Sequence, residues 1–422
     1  MEIKGKRFLI THIWLRGYSG AEINILELAT YLKSKGAQVT IFTYSLLGEM
    51  EEEFQKAYIP VISDVDHEFH LSDFDYIFSA QNIIPNTLIE ELKYPQETYP
   101  KFFFFHMAAL RDHVLEQPYI HELEERLASL YLPVSQEVIS NNLNRFHLDQ
   151  GLFGFYPNPA PESFSNYKSE KKEIELKKIL VVSNHPPQEV KDLKEVFENH
   201  GISVDYMGVW AETYKLSTVD IFAEYDCIIG IGKNAQYCLS MGIPIFIYDH
   251  FAGPGYLNEL NFEPSAWYNF SGRNYQKKRS AEELSDEILK GYPLAWEFHQ
   301  ENRNSFRERF SFEKILGNVF QGSEGIVKEI EPFSEDYASY VQLMNTMVKN
   351  QIVIPNNDVR NLWNAVHEKE SEISRLSEQI VGTNERLNEL IHQRDSLEKE
   401  LTLIKASRSY RFFAWIRRLR KR

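Results

Sequence analysis

Gly230-Ile231-Gly232-Lys233-Asn234-Ala235-Gln236-Tyr237-Cys238-Leu239-Ser240-Met241-Gly242-Ile243-Pro244-Ile245 is the stretch whose reading decides the fold. It runs as a strand end, a glycine turn, a helix, a glycine stop and a second strand, so two buried strands flank one helix. That unit predicts parallel strands at 225–231 and 243–248 within an α/β sheet. Moving outward, apolar runs at 178–183 and 201–207, with an amphipathic segment at 189–199, extend the same pattern to a domain of about 170–325. Upstream, Pro157 to Glu173 (PNPAPESFSNYKSEKKE) has prolines, serines and charges without periodicity and reads as an interdomain linker. Before it the alternation occurs once more, with strands expected at 7–14, 37–44, 75–81, 101–107 and 129–134 and a helix at 21–35. The expectation is two Rossmann-like doubly wound domains, 1–160 and 170–325.

The C-terminal part changes character. After a helical connector (326–358), apolar residues keep a 3,4 spacing from Val359 through Leu362, Val366, Ile373, Leu376, Ile380, Leu387, Leu390, Leu397, Leu401 and Ile404. This heptad seam predicts a coiled coil over 359–404 and hence a homo-oligomer, dimer or trimer, weakened where Lys369, Thr383 and Arg394 interrupt it. The last segment, 405–422, gathers Lys405, Arg408, Arg411, Arg417, Arg418, Arg420, Lys421 and Arg422 with no acidic residue. On a helix, Phe412, Phe413 and Ile416 share an apolar face, with Trp415 beside them and Arg417 and Arg418 among the cations. Such a segment predicts binding to an anionic membrane surface.

Composition bounds the rest. A chain of 422 residues with 43% hydrophobic content can bury more than one core. Its formal net charge of -15 argues against a nucleic-acid partner. Two cysteines, Cys227 and Cys238, in apolar runs exclude a disulfide framework and fit a reducing compartment. No stretch is long and apolar enough to span a bilayer, and the N-terminal apolar run reads as a strand. The expected location is cytoplasmic, peripheral on the inner face of the cell membrane.

Several strings carry a family likeness. GYSGAEINILELATYLKSKGAQVTIFTY (17–44) resembles the opening of family 4 glycosyltransferases, and YLPVSQEV (131–138) through YPNP (156–159) resembles the end of their first domain. The 230–245 string is similar to the donor-binding segment of GT-B glycosyltransferases. The resemblance implies a GT-B fold and transfer of a sugar from a nucleotide-diphosphate sugar to a growing, lipid-linked or other, cell-surface glycan. It would also imply retention of configuration. Ser19, Gly20 and Glu22 match the family's loop over the donor pyrophosphate, and His106 matches a histidine facing the reacting sugar; Glu22 and His106 are thus the catalytic candidates. A hydrogen-bonded histidine capping the next helix is the other reading of His106.

For the donor, Gly232, Lys233 and Asn234 open a helix whose free amides and dipole suit a diphosphate, with Lys233 as a mobile cation. Asn184 and His185 leave a strand's carboxyl end, where such sheets bind ligands. Asp249, Gly253 and Gly255 occupy what reads as a loop, similar to a Gly-Pro turn making donor contacts in related enzymes. The family's Glu-x7-Glu pair is missing: Ile229 and Tyr237 stand in its places, Tyr237 able to bond a ribose or to be buried packing. No metal-ligand spacing occurs, so no metal and no cofactor beyond the donor substrate is expected. A rival reading is a catalytically silent GT-B module that binds glycan or assembles with another transferase. A third is a GT-B sugar-nucleotide epimerase.

Overall fold

A computed structural model describes residues 3–143, 145–168 and 174–419, without the side chains of 142, 143, 367, 370 and 410. The chain divides into two units, Met1–Val353 and Ile354–Arg422.

In the first unit the apolar runs form two sheets. The first contains β1 (Arg7–His12), β2 (Gln38–Thr43), β3 (Val61–Ile62), β4 (Tyr76–Ala80), β5 (Lys101–His106) and β6 (Ala128–Pro133) in the order β3-β2-β1-β4-β5-β6, every pair parallel. The second contains β7 (Lys178–Val182), β8 (Ser203–Met207), β9 (Cys227–Gly230), β10 (Ile245–Asp249) and β11 (Ala252–Tyr256) in the order β11-β10-β9-β7-β8. Both are doubly wound orders, reversing between β1 and β4 and between β7 and β9, where a crevice opens at the strands' carboxyl ends. The two α/β domains read from the sequence are thus present.

Strand alternation sorts side chains between two cores per sheet. In β5, Phe103 and Phe105 enter one core, Phe102 and Phe104 the other. Helix α1 (Gly20–Ser34) begins at Ser19, whose hydroxyl accepts from the Glu22 N–H, and buries Ile25, Leu28 and Leu32 on the first face. Helix α2 (Lys233–Met241) starts after Gly232, held at φ 59° where a side chain would be strained, and stops at Gly242 in the left-handed region. Helix α3 (Ala281–Glu301), with a Ser280–Glu283 capping box, covers one face of the second sheet through Leu284, Ile288 and Tyr292.

Three expectations change. The 249–256 segment is not all loop: β11 pairs antiparallel with β10. Helix α4 (Phe312–Ser323), which the sequence boundary at 325 puts with the second domain, packs on the first sheet instead. Its Phe312, Ile315, Leu316, Val319 and Phe320 join Phe8, Phe78 and Phe103, each burial contributing about 1.5 to 3 kcal/mol. Helix α5 (Glu335–Met347), in the expected connector, places Ala338 and Val341 in the core on the opposite face of that sheet. The chain therefore crosses between domains twice. The crossings pair with each other, Ala160 N–H donating to the Phe310 carbonyl at 2.8 Å.

The second unit comprises α6 (Ile354–Ala406), 53 residues, and α7 (Arg408–Leu419). The seam residues Leu362, Ile373, Ile380 and Leu397 are each more than 60% exposed. In α7, Phe412, Phe413, Trp415 and Leu419 are exposed, while Arg420, Lys421 and Arg422 lie outside the described residues. No helix among the described residues is long and apolar enough to cross a membrane.

Candidate functional site

The carboxyl ends of both sheets face one cleft of about 580 Å³, within the usual range for a ligand site. Both switch points reach it: His12 ends β1, and Ser183, Ile231 and Gly232 follow β7 and β9. The first turns of α1 and α2 line it, so two helix N-termini direct their dipoles into the same space. Of the residues singled out in the sequence, the cleft brings together Ser19, Gly20, Glu22, Asn184, His185, Gly232, Lys233, Asn234, Tyr237 and Asp249. His106, Gly253 and Gly255 are not among its lining residues.

Glu22 is 6% exposed, and its carboxylate organises the loop before α1. It accepts from the backbone N–H groups of Arg16 and of Gly17, the latter at 3.0 Å, and from the Ser19 hydroxyl at 3.0 Å. Burial raises its pKa against these bonds. Asp249 is committed likewise: the Ser183 hydroxyl donates to its carboxylate at 2.9 and 3.1 Å, the His250 N–H at 2.8 Å. Burial raises this pKa too. Ser183 also accepts the His185 N–H at 3.1 Å, and Asn184 accepts the Val209 N–H at 3.2 Å, which fixes the post-β7 loop. The imidazoles of His185 and His250 remain exposed.

Lys233 differs from its expected role. It is not a mobile cation: its ammonium contacts Glu27 at 2.6 Å, Asn24 Oδ1 at 2.7 Å and the Pro159 carbonyl at 3.1 Å. Three acceptors use its three donors. Burial lowers its pKa, and burial raises that of Glu27, each opposed by the charge of the other. Tyr237 takes the packing alternative, stacked on Phe164 at 4.1 Å with its hydroxyl donating to Glu27. Lys233, Tyr237 and Glu27 thus form a seam between the domains. The Arg273–Glu137 ion pair and the Asn24–Asn158–Asn269 hydrogen bonds extend it.

His106 is hydrogen-bonded but does not cap the next helix, whose first residue follows Ile120; its partner is a carboxylate within the helix His121–Leu127. Alternation along β5 puts His106 on the Phe102 and Phe104 side, where Nε2 meets Glu124 at 2.9 Å with the side chain 2% exposed. Glu124 is also held by the Asn82 amide. Gly253 and Gly255 are corrected by β11. At Gly253 a Cβ would lie 1.9 Å from the Ile247 carbonyl oxygen, so glycine lets the strand fold tightly onto β10, and Gly255 has φ +81°.

The structure adds cleft residues that sequence reasoning passed over, His12, Glu116, Lys215 and Arg273, and brings in His113, which the sequence reads as structural. The sequence expectation of a strand over 7–14 leaves His12 inside it, whereas β1 ends at His12 and so brings it to the cleft. Lys215 follows β8 in an irregular segment and carries no mark in the sequence. It is exposed and has no ion pair or hydrogen bond among the described residues. Among those residues, no group of three or more His, Cys, Asp or Glu is placed to hold a metal ion.

No protein-family profile matches the chain, and no curated protein matches it. Solved structures do. A glycosyltransferase from Rickettsia africae ESF-5 aligns at 12% identity over 76% of this chain and 100% of its own, with a TM-score of 0.47. WaaG, a glycosyltransferase involved in lipopolysaccharide biosynthesis, aligns at 10% identity over 75% and 100%, TM-score 0.45. An α-glucosyltransferase solved with UDP and a DNA containing an HMU base aligns at 10% identity over 76% and 99%, TM-score 0.49. The two sheet orders, meeting at one cleft, make the architecture of Met1–Val353 GT-B.

Proposed function

We propose that this chain transfers a sugar from a nucleotide-diphosphate sugar to a growing glycan on a membrane-associated acceptor. The observation that carries the reading is the single cleft where the first turns of α1 and α2 converge across the two switch points. A diphosphate there meets free amides and the positive ends of two helix dipoles. Because Lys233 is consumed by Glu27, Lys215 supplies the cation toward the phosphates. Met107, Ala108, Ala109 and Leu110 give the β5 side an apolar wall suited to the acceptor. The family 4 resemblance carries the sugar-nucleotide chemistry, with no cofactor beyond the donor.

The second unit serves attachment. The exposed seam of α6 pairs with further copies of itself, and α7 lays its aromatic residues into an anionic membrane surface. Oligomerisation presents several tails together and so strengthens weak individual anchors.

One observation favours the silent-module reading: Glu27 of the first domain already occupies Lys233 and Tyr237. The deciding experiment is calorimetric titration of the full chain with a panel of UDP-, GDP-, ADP- and dTDP-sugars. One or more should bind, and Lys215→Ala should weaken that binding roughly tenfold, the low end for a charge-assisted hydrogen bond. Absence of binding across the panel refutes the transferase reading.

A further inference from the structure

Beyond the anion-binding end of the cleft lies a chain of hydrogen bonds with a fixed direction. Immediately after β4, Gln81 and Asn82 have φ of 52° and 57°, two successive non-glycine residues in the left-handed region. Such conformations persist where the surroundings hold them, and they concentrate at working sites. The Gln81 carbonyl accepts the Tyr119 hydroxyl at 2.7 Å, while its side-chain oxygen accepts the Ile13 N–H at 3.1 Å. That second bond orients the amide, leaving Nε2 to face His12 Nε2 at 3.0 Å and Glu116 Oε1 at 2.8 Å.

The roles along the chain then follow. His12 Nδ1 lies 2.6 Å from the Trp14 carbonyl and donates to it, so Nε2 presents a lone pair. Burial pulls the ring's pKa down to about 4 and keeps it neutral. One amide proton of Gln81 goes to His12 and the other to Glu116. The second oxygen of Glu116 has no hydrogen bond among the described residues, and the residue lines the cleft.

The other carboxylates lining the cleft are committed. Glu22 is taken up by the Arg16 and Gly17 amides and the Ser19 hydroxyl, Asp249 by Ser183 and His250. Glu116 alone, among the described lining residues, combines a carboxylate with an uncommitted oxygen and a fixed orientation.

We propose that Glu116 is the general base for the acceptor, oriented by Gln81 and His12. The acceptor hydroxyl oxygen bonds to the anomeric carbon and its proton passes to Glu116; this single displacement inverts the anomeric carbon, a departure from the retention that the family 4 resemblance implies. The bond from that carbon to the diphosphate oxygen breaks, and the nucleoside diphosphate leaves with the electron pair. This rests on the glycosyl-transfer reading above and adds to it the group that accepts the proton. Burial raises the pKa of Glu116, bringing it closer to the working pH of a base. The titratable groups that act on it are His113, His106 and, from α1, Glu22.

The test uses the full chain and the same sugar-nucleotide panel, with water in place of the acceptor. Donor binding is measured by calorimetry and donor hydrolysis by release of the nucleoside diphosphate. Glu116→Gln should bind donor with unchanged affinity and hydrolyse it roughly 100-fold more slowly or worse. Gln81→Leu makes Gln81 a test of positioning. The amide bond favours the charged carboxylate, so its loss should move the acid limb of the rate profile to higher pH. Should Glu116→Gln fail to fold by circular dichroism, that shift decides alone. Hydrolysis by folded Glu116→Gln at the wild-type rate overturns the proposal, as does an unmoved acid limb in Gln81→Leu. A wild type that binds donor and never hydrolyses it also overturns it, while leaving a donor-binding cleft. A wild type that binds no donor removes the functional reading itself.

Discussion

Replacing Glu27 or Lys233 tests the seam between the two α/β domains. The Lys233 side chain is 5% exposed and that of Glu27 11%, and the three ammonium donors meet Glu27, Asn24 Oδ1 and the Pro159 carbonyl at 2.6, 2.7 and 3.1 Å. Glu27→Leu leaves that ammonium buried with two neutral acceptors and deprives the Tyr237 hydroxyl of its partner. Lys233→Met leaves a buried carboxylate facing one phenol. Removing one member of a buried pair costs about 3 to 5 kcal/mol, mostly for the charge left behind, whereas replacing both by apolar groups is close to neutral. Here the double variant also leaves Asn24, the Pro159 carbonyl and the Tyr237 hydroxyl short of a partner, at about 1 kcal/mol each. The singles should therefore sum to about 6 to 10 kcal/mol and the double should cost about 3 kcal/mol, a coupling of roughly 3 kcal/mol or more. Urea unfolding of the four proteins at pH 7.5, followed by far-ultraviolet circular dichroism, measures it. Single variants within 1 kcal/mol of the wild type, or additive effects, would refute the pair as the seam's anchor.

Acid should destabilise the protein through His12 and His299, both fully buried with pKa pulled down to about 4 from 6.5. The unfolded chain takes these protons below pH 6.5 and the native state only near 4, so their contribution is complete above 6.5 and is lost as pH falls toward 4. Each is worth at most about 3 kcal/mol. The buried carboxylates with raised pKa act in the opposite sense, so the readout is the difference between wild type and His299→Gln. That difference should narrow between pH 7 and 4, and a constant gap contradicts it. Deleting 354–422 should leave a folded monomer by light scattering, with the full chain oligomeric. Truncation after Lys405 should preserve the oligomer and abolish salt-sensitive sedimentation with anionic vesicles; undiminished sedimentation would remove α7 as the anchor.

The doubly wound domains were legible because their strands are short apolar runs, such as Phe102–Phe105, separated by amphipathic segments. The glycine turn before α2 was legible because the combination of φ 59° with ψ -128° at Gly232 is one that glycine adopts and side chains disfavour. What misled was destination. Lys233 reads as a phosphate ligand from its neighbours in sequence, yet its partner Glu27 lies on a helix of the other domain. The side of β5 that His106 takes follows from alternation, but which face opens to the cleft is set by tertiary packing. Gly253 and Gly255 look like loop residues, yet β11 needs both: at Gly253 the Ile247 backbone passes too close for a Cβ, and at Gly255 the backbone has φ +81° with the Glu287 and Phe246 side chains against it. Glu116 gives no sequence signal, because its orientation depends on Gln81 and His12 from separate strand ends.

The return of α4 and α5 to the first sheet bears on the order of events during synthesis. Phe312 through Phe320 and then Ala338 through Val353 complete the two cores around β1 to β6, so those cores remain unfinished after residue 160 has been made. All strands of the second sheet lie in the interval before residue 312. At translation rates of about 5 to 20 residues per second, the 193 residues between 160 and 353 take roughly 10 to 40 s. For that time each face of the nascent first sheet lacks part of its apolar cover, while the domain that follows it can already close. The ribosome thus delivers the later domain as a finished body first, and the earlier one matures around it.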